Sequence, residues 1–207
     1  MKIGICGLLA CAGALALGPP AASADVLVNS NWNLFSANYS VYAQAAGGQA
    51  LAQQFTLAGN FSLDSMSFYG ASEASRLYIV DELSPTAVRG DVLWSIDFSS
   101  TTLGWQSFAM DGLTLSAGDY YLVMETDLGI VKAGTWAQAT NGGRVGLGDI
   151  RTTTYEAGQF AASNEFTPLQ GRSLTLRISG EELEIPAPGA LTVAGFCGLA
   201  AVRRRRR

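Results

Sequence analysis

Histidine is absent from the 207 residues, and the three cysteines, Cys6, Cys11 and Cys197, all fall in apolar segments near the two ends. Without histidine the chain lacks the usual general base near neutral pH and the commonest transition-metal ligand. The body from Asp25 to Glu184 has no thiol, hence no disulfide, no thiolate nucleophile and no cysteine metal site. Ser-His-Asp, Cys-His and histidine-containing zinc chemistry are excluded by inventory. Also missing is a helical stripe: outside the ends, no window of ten or more residues repeats its apolar positions at helical spacing. Cations are scarce too, since the body sets all 17 carboxylates against Lys132 and six arginines, and 7 − 17 leaves −10. The formal −4 of the whole chain is raised by Lys2 and five consecutive arginines. A body this acidic repels phosphate backbones, so no nucleic-acid partner is expected. Solubility outside the cell accounts for the acidity.

What the body does contain is period-two alternation, which sends successive side chains to opposite faces of a strand. Val92, Trp94, Ile96 and Phe98 share one parity while Asp91, Ser95 and Asp97 share the other. Leu174, Leu176 and Ile178 alternate with Thr175 and Arg177, and Leu77 and Ile79 share a face in 76–80. Further strands are expected at 52–57, 61–69, 105–110 and 119–126, with a bulge near Asp64-Ser65 where the apolar parity switches. Turn signals separate them at Ala58-Gly59-Asn60, Ser84-Pro85, Asp111-Gly112, Ala117-Gly118-Asp119 and Asn141-Gly142-Gly143. The stretch from Trp136 to Ser163 has few apolar residues and reads as long loops and short edge strands. The expected fold is all-β: one antiparallel β-sandwich, jelly-roll-like, over residues 25–180.

The ends carry addressing signals. Lys2, the apolar run Ile3–Leu17 and the small residues Ala22-Ser23-Ala24 read as a signal peptide of residues 1–24, cleaved so that the mature chain begins at Asp25. The partners implied are the Sec translocase and signal peptidase. A lipoprotein box with lipid on Cys11 is the competing reading. At the other end an acidic linker, 181–185, precedes Pro186-Ala187-Pro188-Gly189, an uncharged segment at 190–202, and Arg203-Arg204-Arg205-Arg206-Arg207. The uncharged segment can enter a bilayer, whereas five guanidinium groups hold the terminus on the cytoplasmic side. Thirteen residues fall short of the roughly 20 that cross a bilayer core comfortably, which favours transient insertion over a permanent transmembrane helix.

This tripartite tail resembles the PEP-CTERM sorting tails of Gram-negative bacteria in their Pro-Ala-Pro-Gly variant, with Ala187 where the family has glutamate. The resemblance implies recognition by an exosortase, a membrane protease that cuts near the proline motif and passes the protein to the cell surface or extracellular matrix. The family's sandwich domains are common in bacteria that make exopolysaccharide, and the resemblance supplies no catalytic residues.

Within the body, Tyr78, Trp105 and Tyr121 are candidates for an outward aromatic platform that packs against sugar rings. Carboxylates at Asp81, Glu82, Asp91, Asp97, Glu125 and Asp127 read as solvated charges at strand ends and on polar faces. A calcium site would draw on the loops Asp81–Asp91 or Glu125–Asp127, although no Asp-x-Asp-x-Asp loop is present. No cofactor is expected. The leading expectation is a non-enzymatic, exported structural or adhesive protein that anchors transiently in the inner membrane before reaching the surface or matrix. The alternatives are a carbohydrate-binding module for exopolysaccharide and, third, a carboxylate-dependent glycoside hydrolase.

Overall fold

A computed structural model describes residues 25–30, 35–44, 47–126, 132–139, 146–156 and 159–183. The leader with Ala22 and Ala24, the sorting tail from Pro186 to Arg207, Asp127 and the Asn141-Gly142-Gly143 turn lie outside the described residues. Within them no helix is long and apolar enough to cross a membrane.

Period-two patterning produces strands and little else. In chain order these are β1 (Asp25–Asn29), β2 (Phe35–Gln44), β3 (Gly47–Leu57), β4 (Phe61–Val80), β5 (Trp94–Leu115), β6 (Gly118–Thr126), β7 (Lys132–Ala139), β8 (Leu147–Glu156), β9 (Thr167–Leu169), β10 (Ser173–Leu174) and β11 (Arg177–Glu182). Every pairing between them is antiparallel. Hydrogen bonds join them into one sheet in the order β1-β11-β4-β6-β3-β2-β7-β10, with β5 added on β4, β8 on β3, and β9 on β8. The sheet curls until β7 returns to β4, pairing Trp136 with Gly70 and Gly134 with Ser72. The fold is therefore all-β and antiparallel, a single curled sheet.

Several expected strands prove to be parts of longer ones. The segments 61–69 and 76–80 run together as the 20 residues of β4, and 91–98 and 105–110 merge into the 22 residues of β5, which begins at Trp94. The Asp111-Gly112 signal makes a bulge inside β5 instead of a turn. Both residues adopt positive φ, 48° and 71°, and the register with β4 jumps there from Leu63↔Leu113 to Ser65↔Ala109. A left-handed pair can absorb extra residues within a ladder as readily as it can reverse one. The same register jump falls at Asp64, where the switch of apolar parity placed a bulge. The largest departure is β8, ten residues in the stretch expected to be loops and short edges. Glu181 and Glu182, expected in the linker, extend β11 opposite Ser62 and Phe61.

The strands around β4 are buried on both faces. Inside the curl, Leu51, Phe55, Leu77, Ile79, Leu122, Met124, Trp136 and Ile178 belong to one core. The opposite parity of the same three strands, Ala50 and Ala52 on β3, Tyr78 and Val80 on β4, Val123 on β6, builds a second core with Tyr155, Phe160 and Phe166. Two irregular segments, 81–93 and 159–166, supply the cover, with Ala87 from the first and Phe160, Ala161, Ala162 and Phe166 from the second buried against the sheet. The chain threads closely where β11 meets β4: a Cβ on Gly180 would lie 2.4 Å from the Ser62 carbonyl oxygen, so only glycine fits that crossing.

Candidate functional site

The second core ends in a charged row. In register across β5, β4 and β6, Asp97 pairs with Arg76 and Arg76 with Glu125, while Phe98, Ser75 and Thr126 form the adjacent row. Cross-strand neighbours are close enough for their side chains to interact. Arg76 Nε lies 2.7 Å from Asp97 Oδ1, and its Nη2 lies 3.1 Å from Oδ2, a bidentate pair. That guanidinium holds the Asp97 carboxyl below the ordinary carboxylate range.

Glu125 is the unusual member, only 6% exposed at the end of the apolar run Leu122-Val123-Met124. Its burial is tolerated because donors surround it. The Tyr78 hydroxyl donates to Oε2 at 3.0 Å, the Ala161 N–H donates to Oε2 at 3.2 Å, and Arg89 Nη1 donates to Oε1 at 3.4 Å. Arg89 reaches in from the short 3₁₀ turn Arg89–Asp91, with its guanidinium 5.1 Å from the centre of the Phe160 ring. One carboxylate thus ties together β4, β6 and both covering segments.

These groups, with Tyr155 and Gln159, line an open cleft of about 480 Å³. A second hollow of about 240 Å³ adjoins it, sharing Arg76, Arg89 and Asp97 and extending over Val92 and Phe160. Thr126, 2% exposed, lines the larger cleft, and its hydroxyl oxygen has no hydrogen-bond partner. Tyr155 donates its hydroxyl to the Thr126 carbonyl at 2.9 Å, and burial pushes its phenol up to about 12. Burial, and next the charge of Glu125, also raise Tyr78 well above the ordinary phenol value.

Because folding raises these phenol pKa values, their contribution to stability is complete below pH ~10, the unfolded value, and is lost as the pH climbs through the folded value. The denaturation midpoint is expected to fall between pH ~10 and about 12, with Tyr155 contributing roughly 2 to 3 kcal/mol of the change at about 1.4 kcal/mol per unit. Urea titrations across that window check it: Tyr155→Phe should flatten the fall, and an unaltered slope would refute the assignment.

The aromatic candidates do not converge. Tyr78 is completely buried beneath Phe160, 5.1 Å between ring centres, with its hydroxyl committed to Glu125, so the outward orientation expected for it is corrected. The reason is the cover of 81–93 and 159–166, which buries the face that alternation assigned to solvent. Trp105 is half-buried on β5, edge-on to its cross-strand neighbour Tyr69 at 5.8 Å. Tyr121 is half-buried on β6 with the Arg151 guanidinium 5.2 Å from its ring centre. Glu125 is likewise corrected from a solvated charge to a buried one. Asp81, Glu82 and Asp91 share a surface hollow, but among the described residues no group of three or more acids gathers into a cation site.

The residues that meet in the cleft are drawn from between Ala74 and Gln159, and Glu125 alone carried a local signal, as a charge closing an apolar run. No protein-family model and no curated protein matches the chain. The fold and cleft define an all-β domain with a polar, charge-balanced groove on its outer face.

Proposed function

We propose that this chain is an exported, non-enzymatic component of the bacterial surface or matrix, structural or adhesive in role. The observation that carries the reading is the sequence of the tail, in which Pro186-Ala187-Pro188-Gly189 is followed by an uncharged segment and Arg203–Arg207, set opposite a cleavable leader. The Sec translocase and signal peptidase export it, the tail holds it transiently in the inner membrane, and an exosortase-type protease releases it. In architecture the domain is jelly-roll-like, its curled sheet folding back on itself as a sandwich. A body free of cysteine suits that route, since it folds without an oxidant.

The tail's three parts act jointly. Replacing Arg203–Arg207 by serine removes the charge that holds the terminus in the cytoplasm, and Pro186→Ala with Pro188→Ala lets helix extend through the recognition site. Either variant is expected to be exported yet to accumulate uncleaved in membranes, read by intact mass of cell and medium fractions from the native host. Both variants reaching the surface with wild-type mass and yield would end the sorting reading.

A second reading, a saccharide-binding module for exopolysaccharide, is favoured by the cleft over β4, β5 and β6. The hydrolase reading is weaker although Asp97 and Glu125 line one cleft. Glycoside hydrolysis needs a carboxylic acid with a raised pKa to protonate the leaving group. Asp97, which Arg76 holds on the low side of the ordinary carboxylate range, does not meet that need.

A further inference from the structure

We propose that the groove formed by the cleft and its adjoining hollow binds an uncharged stretch of a polysaccharide chain, seated across the Arg76–Asp97 pair with Thr126 among its lining residues. This rests on the saccharide-binding reading and adds to it a site and a class of sugar.

Shape is the first argument. The larger hollow falls within the range of roughly 300–1,000 Å³ typical of small-ligand sites, and the smaller one adjoins it. Two open hollows that share the polar residues Arg76, Arg89 and Asp97 suit successive units of an extended chain better than one compact molecule.

Charge is the second. The two cations of the larger cleft, Arg76 and Arg89, each face a carboxylate, Asp97 and Glu125. A uronate, sulfate or phosphate entering the groove meets acids as well as guanidinium groups and gains no net attraction, while losing its hydration. A neutral polyol has what such a surface asks for. Each hydroxyl can donate to a carboxylate oxygen and accept from a guanidinium N–H, so neighbouring hydroxyls can bridge both ion pairs without breaking either.

The third is the orphan hydroxyl of Thr126. A buried hydroxyl without a partner is uncommon in a folded domain, and here it belongs to a residue that lines the same cleft as the buried carboxylate of Glu125. A threonine hydroxyl has one side-chain torsion and a rotatable O–H, so it can turn to meet a ligand hydroxyl or a bridging water. Glu125 is already pinned by Tyr78 and the Ala161 N–H, which spares ordering on binding. Phe98, Tyr155 and Phe160 are 9%, 4% and 7% exposed, so no open ring is offered for stacking. Binding by single domains should therefore be hydrogen-bonded and modest, and strengthened by many copies along one polymer.

The test is affinity electrophoresis of the full-length protein in mild detergent through gels containing dextran, galactomannan, mannan or, as the polyuronate, alginate. Retardation by at least one neutral polymer and not by alginate is expected. Asp97→Asn, which keeps the size of an exposed side chain, and Thr126→Val, which removes only the hydroxyl, should each weaken that retardation about tenfold. Asp97→Asn should lower the urea midpoint only slightly, since its ion pair with Arg76 is exposed, and Thr126→Val should raise it slightly by deleting the orphan. A merely structural role for Thr126 would leave retardation unchanged. Retardation by alginate alone, lost in the same variants, keeps the saccharide reading and overturns the neutral class. Binding indifferent to both variants overturns this groove as the site. No retardation by any of the four polymers overturns the saccharide reading itself.

Discussion

Glu125→Ala is expected to destabilise the domain by roughly 2 to 5 kcal/mol, far more than an acidic residue on a β-domain surface would. The carboxylate is 6% exposed, and its removal strands the Tyr78 hydroxyl and the Ala161 N–H in the second core. Each buried donor left without an acceptor costs about 1–3 kcal/mol. The Arg89 contact adds little, because that side chain is 51% exposed and water compensates its loss. Arg89→Ala should accordingly cost under ~1 kcal/mol, so the two variants separate buried hydrogen bonding from surface ion pairing. Urea unfolding at constant slope measures both. Equal midpoints for Glu125→Ala and wild type would mean that Glu125 is not the clamp between the sheet and its covering segments.

Trp136→Ala should be at least as damaging, about 3–5 kcal/mol, the range for removing a large aromatic from a packed core. Trp136 is fully buried, lies 5.2 Å from the ring of Phe68, and donates its indole N–H to the Thr175 carbonyl at 2.8 Å. It stands where β7 returns to β4, opposite Gly70, so the cavity would open at the point where the curl closes. Trp105→Ala on the half-buried outer side of β5 is the control and should cost much less. If the two variants unfold at the same urea concentration, the closure does not depend on this ring.

Trp136 and Glu125 also mark where reading along the chain stops. The parity of Trp94, Ile96 and Phe98, of Leu77 and Ile79, and of Leu174, Leu176 and Ile178 assigned their inward faces correctly, because alternation is a property of one strand with one buried side, whereas Val92, expected on the same face, precedes β5 and packs against the second core. It misassigned Tyr78 and Glu125. Their parity is the outward one, and whether an outward face stays wet depends on segments 81–93 and 159–166, which come from elsewhere in the chain. β8 escaped notice for a related reason: its threonines pair with β3 from Gln49 to Leu51, so its stability comes from a neighbour a hundred residues away and not from its own apolar content. The continuation of β5 past residue 110 was hidden by Asp111-Gly112, whose positive φ values serve a bulge and a turn equally well.

Composition and local pattern by themselves determined the absence of histidine and cysteine chemistry from the body, the acidic charge, the all-β class and the inward parity of single strands, since each depends on residue identity or on neighbours two positions apart. Tertiary structure alone decided the curl through β4 and β7, the second buried face, and the cleft that brings Arg76, Arg89, Asp97, Glu125 and Thr126 together. These are non-local pairings. No residue carries in its own neighbourhood the identity of the strand or segment that will cover it, so burial of an outward face and convergence of distant charges emerge only when the sheet closes.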